Sequence, residues 1–218
     1  MTPANIIGMA KLKGLDVIAV TDHNSCRNCA PTMRIGEEND ILVIPGMELT
    51  TEEEVHVVCL FSKLTDALEF DKYVYDKLIK IENNKTIFGE QLVVNEDEEI
   101  LQHEPYLLIN ATTISFDQVF HLMQEFHGIM IPAHIDKNSN SLLSNLGFIS
   151  IDSQFTCVEV KNMSKLHEIQ RTNPYILRCN VISNSDAHLL YDINEPIHHI
   201  FAERTRSGIL HALTNYVK

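Results

Sequence analysis

Along this chain, short runs of apolar residues break abruptly into polar ones, and the break recurs. Asp16-Val17-Ile18-Ala19-Val20 switches to Thr21-Asp22-His23-Asn24. Ile41-Leu42-Val43-Ile44-Pro45-Gly46-Met47 ends in Glu48, and Val55-His56-Val57-Val58 carries a histidine inside the run. Ile129-Met130-Ile131-Pro132-Ala133 ends in His134, and Val181-Ile182-Ser183-Asn184-Ser185 leads to Asp186-Ala187-His188. Continuous apolar runs of this kind predict interior parallel strands that deliver polar groups to the rim of a sheet or barrel.

Helical patterns alternate with these runs. Residues 3–13 predict a helix, with Thr2 as N-cap, Pro3 in the first turn and Gly14 as the stop. Ile6, Ile7, Met9, Ala10 and Leu12 form its apolar stripe. Residues 30–39 predict a second helix, and residues 50–54 a turn whose carboxylates form a solvated acidic rim. Residues 65–82 predict a helix or helix pair, with Leu68, Phe70, Tyr73, Leu78 and Ile79 as core contacts. Residues 92–101 predict a hairpin with an acidic tip. Ser115 is expected to cap a helix over 116–126, and short helices are expected at 141–146 and 164–170. Residues 155–160 predict a further strand, and residues 206–217 an amphipathic closing helix.

No repeat, low-complexity tract or linker marks a boundary. Residues 1–218 therefore read as a single α/β domain, with a helix/hairpin insertion at about 62–113. At 218 residues and 44% apolar content the chain can bury one substantial core. The net charge of −13 argues against duplex nucleic acid or an anionic membrane surface as partner. A small phosphorylated substrate stays compatible, because bound cations invert the sign of the potential locally. No apolar run approaches the ~20 residues that span a bilayer. Met1-Thr2-Pro3-Ala4-Asn5 lacks the layout of a secretion signal. The five scattered cysteines read as reduced thiols of a cytoplasmic protein. Cys26 and Cys29 form a Cys-x-x-Cys without the second pair that a structural zinc site wants, so they read as ordinary loop cysteines.

The chemistry sits at the breaks. Neutral imidazoles and carboxylates are the ligand types that hold Zn²⁺, Mn²⁺ or Fe²⁺. Asp22, His23, Glu48, His56, His134, Asp186 and His188 are too many for one tetrahedral site, which points to two or three divalent metal ions. A carboxylate such as Glu48 can bridge two cations, and Asp22 can equally orient a ligating imidazole. Such clusters activate water and neutralise charge on a phosphoryl group. Any one of these histidines alone would read as a packing residue, as His103, His121 and His127 do; repetition at strand ends separates the set. The tandem His198-His199 has no such context.

Thr21-Asp22-His23, Pro45-Gly46-Met47-Glu48, His56, Pro132-Ala133-His134 and Ser185-Asp186-Ala187-His188 resemble the successive motifs of the PHP (polymerase and histidinol phosphatase) phosphoesterases. The resemblance runs from about residue 3 to 205, interrupted by 62–113. It implies a distorted (β/α)7 barrel with a trinuclear metal centre at the C-terminal ends of its strands. It also implies that Glu48 bridges, that His56 and His134 complete the site sharing it, and that Asp186 binds a further metal. His188 would join His23 as a ligand, and Asp22 would stand behind the ligands. Glu48 and Asp186 are the carboxylates on which catalysis would depend.

The family opens with a His-x-His at the end of its first strand, and this sequence has none. The chain is therefore expected to lack the first strand of the barrel, which would expose two sheet edges. Impaired metal occupancy, reduced stability or a homodimer through the open edge are the expected consequences. The function implied is metal-dependent hydrolysis of a phosphomonoester or nucleotide-type substrate, with Arg27, Lys137 or Lys161 near the phosphate. The alternatives are a truncated, catalytically weak module that binds metal or a partner, and a barrel metallohydrolase acting on another bond such as an amide.

Overall fold

A computed structural model describes residues 1–215. In chain order the elements are α1 (Pro3–Lys13), β1 (Val17–Val20), α2 (Cys29–Glu38), β2 (Leu42–Thr50), β3 (His56–Phe61), α3 (Leu64–Lys77) and α4 (Lys85–Phe88). There follow β4 (Leu92–Val94), β5 (Ile100–His103), α5 (Phe116–Glu125), β6 (Gly128–Pro132), α6 (Leu142–Asn145), β7 (Cys157–Glu159), α7 (Leu166–Thr172), β8 (Asn180–Ile182) and α8 (Arg206–Thr214). The closing helix predicted to residue 217 ends at Thr214, and its last two expected positions, Tyr216 and Val217, lie outside the described residues.

The four-stranded sheet has the order β1-β2-β3-β6. Its first pair is parallel, with Val17 opposite Leu42, and α2 makes the crossover. Parallel strands throughout were expected, yet β3 is antiparallel to both of its neighbours. The cause is the short connection after β2: Thr51 N–H donates to Val55 O and Glu54 N–H to Thr51 O, so the chain turns back without a helix. The first residue of β3 therefore lies beside the last residue of β2, Thr50 opposite His56. Because β6 reverses again, its C-terminal end reaches the same rim.

β7 and β8 form a separate parallel pair, tied to the end of β6 by Ile135 N–H donating to Glu159 O. Mixed α/β is thus the fold class. Among the described residues, however, the strands form sheets of four, two and two, and no closed barrel. β4 and β5 make the expected hairpin, with residues 95–99 as its acidic tip.

Alternation along the strands sends residues to two cores. Val43, Met47, Leu49, Val57, Cys59 and Phe61 pack against the helices, among them Ile7 and Ala10 of α1, Met33 of α2, Phe70 of α3 and Val119 of α5. Ile44, Leu60 and Ile131 face the other way and are covered by Ile209, Leu210 and Leu213 of α8. Two apolar expectations fail: Leu12 is 78% exposed and Ile79 44%. Only Pro3, Ile7 and Ala10 of α1 are buried, a stripe too narrow to include Leu12.

Of the two cysteines expected in a loop, Cys26 lies in the one after β1, whereas Cys29 does not. All five are free and buried, and Cys29 opens α2. The thiols of Cys26 and Cys29 both donate to Gly46 O, at 3.2 and 3.4 Å. Gly46 permits this close approach of β1, β2 and β3, since a Cβ there would lie 2.6 Å from Cys59 O. Backbone cannot step aside as a side chain can. Gly46→Ala is expected to cost about 1–3 kcal/mol, a fall in melting temperature of about 2–12 °C for a chain of this size. Thermal unfolding followed by circular dichroism checks it.

Candidate metal centre

The ends of three strands and the start of a fourth converge on one carboxylate. Glu48 lies near the end of β2, and His23, just past β1, pairs with it across a parallel bridge. His56 opens β3, His134 follows β6, and Asp186 and His188 follow β8. The segment after β1 is locked by Asn24, whose φ of +48° suits asparagine. Its side-chain amide donates to Leu108 O and Asn110 O, and its side-chain oxygen accepts from Thr50 N–H. One buried side chain therefore joins β2, the stretch before α5 and the His23 segment.

Glu48 Oε1 lies 3.1 Å from His56 Nδ1 and 3.2 Å from His134 Nε2, while Oε2 lies 3.6 Å from His23 Nδ1. Burial alone would push the Glu48 carboxyl up. Hydrogen bonds from His134 and His56, with His23 beside them, instead hold it well below the usual carboxylate range. Since an ionised carboxylate can only accept, the imidazole nitrogens of His56 and His134 that face it carry protons. Their opposite nitrogens, His56 Nε2 and His134 Nδ1, are buried without a protein partner, as is His23 Nδ1. Burial, with His56 and His188 adding to it, pushes His23 down to about 4 against the pull of Glu48, so this imidazole is neutral near pH 7.

Buried polar atoms normally find partners, and three partnerless imidazole nitrogens around one carboxylate are the signature of a ligand set. Taking one atom from each residue, His23, Glu48 and His56 lie within 4.8 Å of one another, and so do Glu48, His134 and Asp186. Glu48 belongs to both groups. His56 and His134, which the resemblance places in one site, both reach the same oxygen of Glu48, Oε1. His188 stands with its ring 5.8 Å from that of His23, its Nδ1 facing Asp186 O at 3.0 Å. Nitrogen and oxygen donors of these types fit Zn²⁺, Mn²⁺ or Fe²⁺.

Other expected residues sit differently. Asp22 does not meet a ligating imidazole: its carboxylate accepts from Asn28 at 3.4 Å, and its carbonyl accepts from Glu48 N–H. The Arg27 guanidinium is bound to Asp71 at 3.4 Å and Glu104 at 2.5 Å, and lies 4.4 Å above the Tyr75 ring. It ties the loop after β1 to α3 and to the segment after β5. Lys137 meets Asp186 at 2.5 Å, and Lys161 donates to Ser185 O.

Glu159 was not anticipated. It ends β7, is 3% exposed, and accepts from His134 N–H at 3.2 Å and from the Asn184 amide at 2.7 Å. It thus joins the His134 turn to the segment leading to Asp186. Burial pushes its carboxyl up, against the hydrogen bond from Asn184. The signal was present, since Cys157-Val158-Glu159 is again an apolar run ending in a carboxylate.

No family model matches the chain. An uncharacterized protein of Methanocaldococcus jannaschii is 43% identical over 54 residues, 24% of this chain and 32% of that protein. Among solved structures, the lesion-specific endonuclease PfuEndoQ of Pyrococcus furiosus matches with a TM-score of 0.62 at 17% identity, over 98% of this chain and 51% of its own. Endonuclease Q in complex with a 27-mer duplex, with an abasic lesion at its active site, matches with a TM-score of 0.57 at 18% identity, over 86% of this chain and 44% of that one. A protein of Bifidobacterium adolescentis, provisionally named a metal-dependent phosphoesterase, matches with a TM-score of 0.58 at 15% identity, over 86% and 82%.

The chain therefore spans about half the length of the endonuclease Q structures. It has the mixed α/β fold of these hydrolases. That likeness in fold is consistent with the family read from the motifs. The exclusion of duplex nucleic acid is corrected here: a protein of this fold holds a duplex at its active site. Net charge was a poor guide because it averages over a whole surface, whereas a nucleic acid meets one local field.

Glu159→Ala is expected to weaken Mn²⁺ binding by about 10–100-fold, the usual effect of removing a group that supports a ligand. Glu159→Gln keeps an acceptor for His134 N–H and should lose less. Titration calorimetry with Mn²⁺ checks both.

Proposed function

We propose that the chain is a PHP-type metal-dependent phosphoesterase. One observation carries this reading: a buried, ionised carboxylate, Glu48, shared by two groups of imidazole and carboxylate donors whose outer nitrogens lack protein partners. His23, Glu48, His56, His134, Asp186 and His188 would hold the cations, with Glu48 common to both groups. Bound divalent ions would supply charge neutralisation at phosphorus and a water of lowered pKa.

The chain's own residues do the rest. Glu48 orients the His56 and His134 rings through the nitrogens that face it. Glu159 and Asn184 hold the two segments that carry His134 and Asp186 in register. Lys137 and Lys161 stand beside this acidic centre, where anionic substrate oxygens would arrive, while Arg27 is committed to Asp71 and Glu104. The substrate class is a phosphoester. A DNA strand is included because endonuclease Q, of the same fold, acts on duplex substrate. Cations at the rim would offset the local negative charge that otherwise repels a nucleic acid.

The test is hydrolysis by Mn²⁺-loaded protein of an abasic-site duplex, a nucleoside phosphate and an aryl phosphate. Turnover of at least one is expected, and Glu48→Ala should lower it by more than the about 100-fold that loss of a supporting residue can cost. If metal binds and none of the three is cleaved, a different bond or binding without turnover becomes the better account.

A further inference from the structure

Lys137 is the one Lys or Arg, among the described residues, that pairs with a member of either donor group: its ammonium lies 2.5 Å from Asp186 Oδ2. The pair is unequal, for the Lys137 side chain is 39% exposed and that of Asp186 11%. The Lys137 backbone is fixed, its N–H donating to His134 O and its carbonyl accepting from Ser141 Oγ. Beyond that point only the ammonium–carboxylate contact holds the flexible side chain in place.

From this we infer that Lys137 is a built-in competitor for the cation at the Glu48, His134 and Asp186 group, a reading that rests on the function proposed above. The centre gathers three acidic side chains, Glu48, Asp186 and Glu159, the first and last of them buried. A carboxylate at such a place needs a counter-charge, and Lys137 provides it from the adjacent turn. A divalent ion at the Asp186 carboxylate repels the ammonium there and draws on the same negative charge. Metal loading therefore displaces Lys137, whose exposed four-carbon stem lets the ammonium swing out at little cost. The released charge remains tethered beside the centre, where an incoming phosphoester is its natural partner. Lys137 thus serves the centre before and after loading, by holding Asp186 in place and then by facing substrate.

The test uses the full chain and Mn²⁺ alone, followed by titration calorimetry. Lys137→Met, neutral and of similar length, is expected to tighten Mn²⁺ binding by about two- to five-fold, the worth of a partly exposed ion pair. Lys137→Arg keeps the charge and should bind Mn²⁺ as the unaltered chain does. The difference should shrink at high ionic strength, where a half-exposed pair is screened. An unaltered or weakened Mn²⁺ affinity in Lys137→Met overturns the competitor role while leaving the metal centre standing. Absence of Mn²⁺ binding by the unaltered chain overturns both.

Discussion

A buried carboxylate with imidazoles on two sides is the constraint on which the rest of this structure turns. Glu48 is 6% exposed, and burial by itself would favour its neutral form. What keeps it charged is a pair of short contacts to His56 and His134, residues that reach it from other strands. Those same contacts fix how each ring is turned. The tertiary arrangement that stabilises the charge and the one that readies the ligands are therefore a single arrangement, and disturbing either disturbs both.

The scaffold around Glu48 serves its placement. A tight turn after β2 brings His56 back to the rim it has just left, and β6 returns His134 to the same rim. Asn24 and Asp71 then secure the loop that carries His23. Asp71 accepts from Ser25 Oγ and Cys26 N–H, and pairs with Arg27, so an acid of α3 holds three consecutive residues. Asn28 extends this outward, donating to Leu92 O and accepting from Val94 N–H as a neighbouring strand would. β4 is thereby sewn to the loop behind the centre by an asparagine side chain. Sequence periodicity has no access to such contacts.

The centre also carries an excess of negative charge close at hand. Asp186 and Glu159 stand near Glu48, with imidazoles between them and, among the described residues, a single ammonium, that of Lys137, against the outermost acid. Such a set is stable without a metal only as far as hydrogen bonds and that ammonium compensate it. A divalent ion would remove the imbalance, which is the physical sense in which these residues fit one.

How much of this was legible in the chain follows from the range of the forces involved. Apolar runs ending in His23, Glu48, His134 and Asp186 marked the strands and the ligand-type residues, because burial on both faces and an abrupt polar end are local properties of sequence. Gly14, Ser115 and the acidic hairpin tip were readable for the same reason. The direction of β3 was not, since it depends on a turn whose hydrogen bonds form only once β2 and β3 meet. Nor was the commitment of Arg27 to Asp71 and Glu104, which lie 44 and 77 residues further along. Glu159 shows the boundary between the two: its strand was evident and its chemistry was not, because only the approach of the His134 turn and Asn184 gives that carboxylate something to hold. The sequence by itself determined which residues could make a metal centre; tertiary structure decided which carboxylate they share, because that depends on strand direction and on contacts across more than a hundred residues.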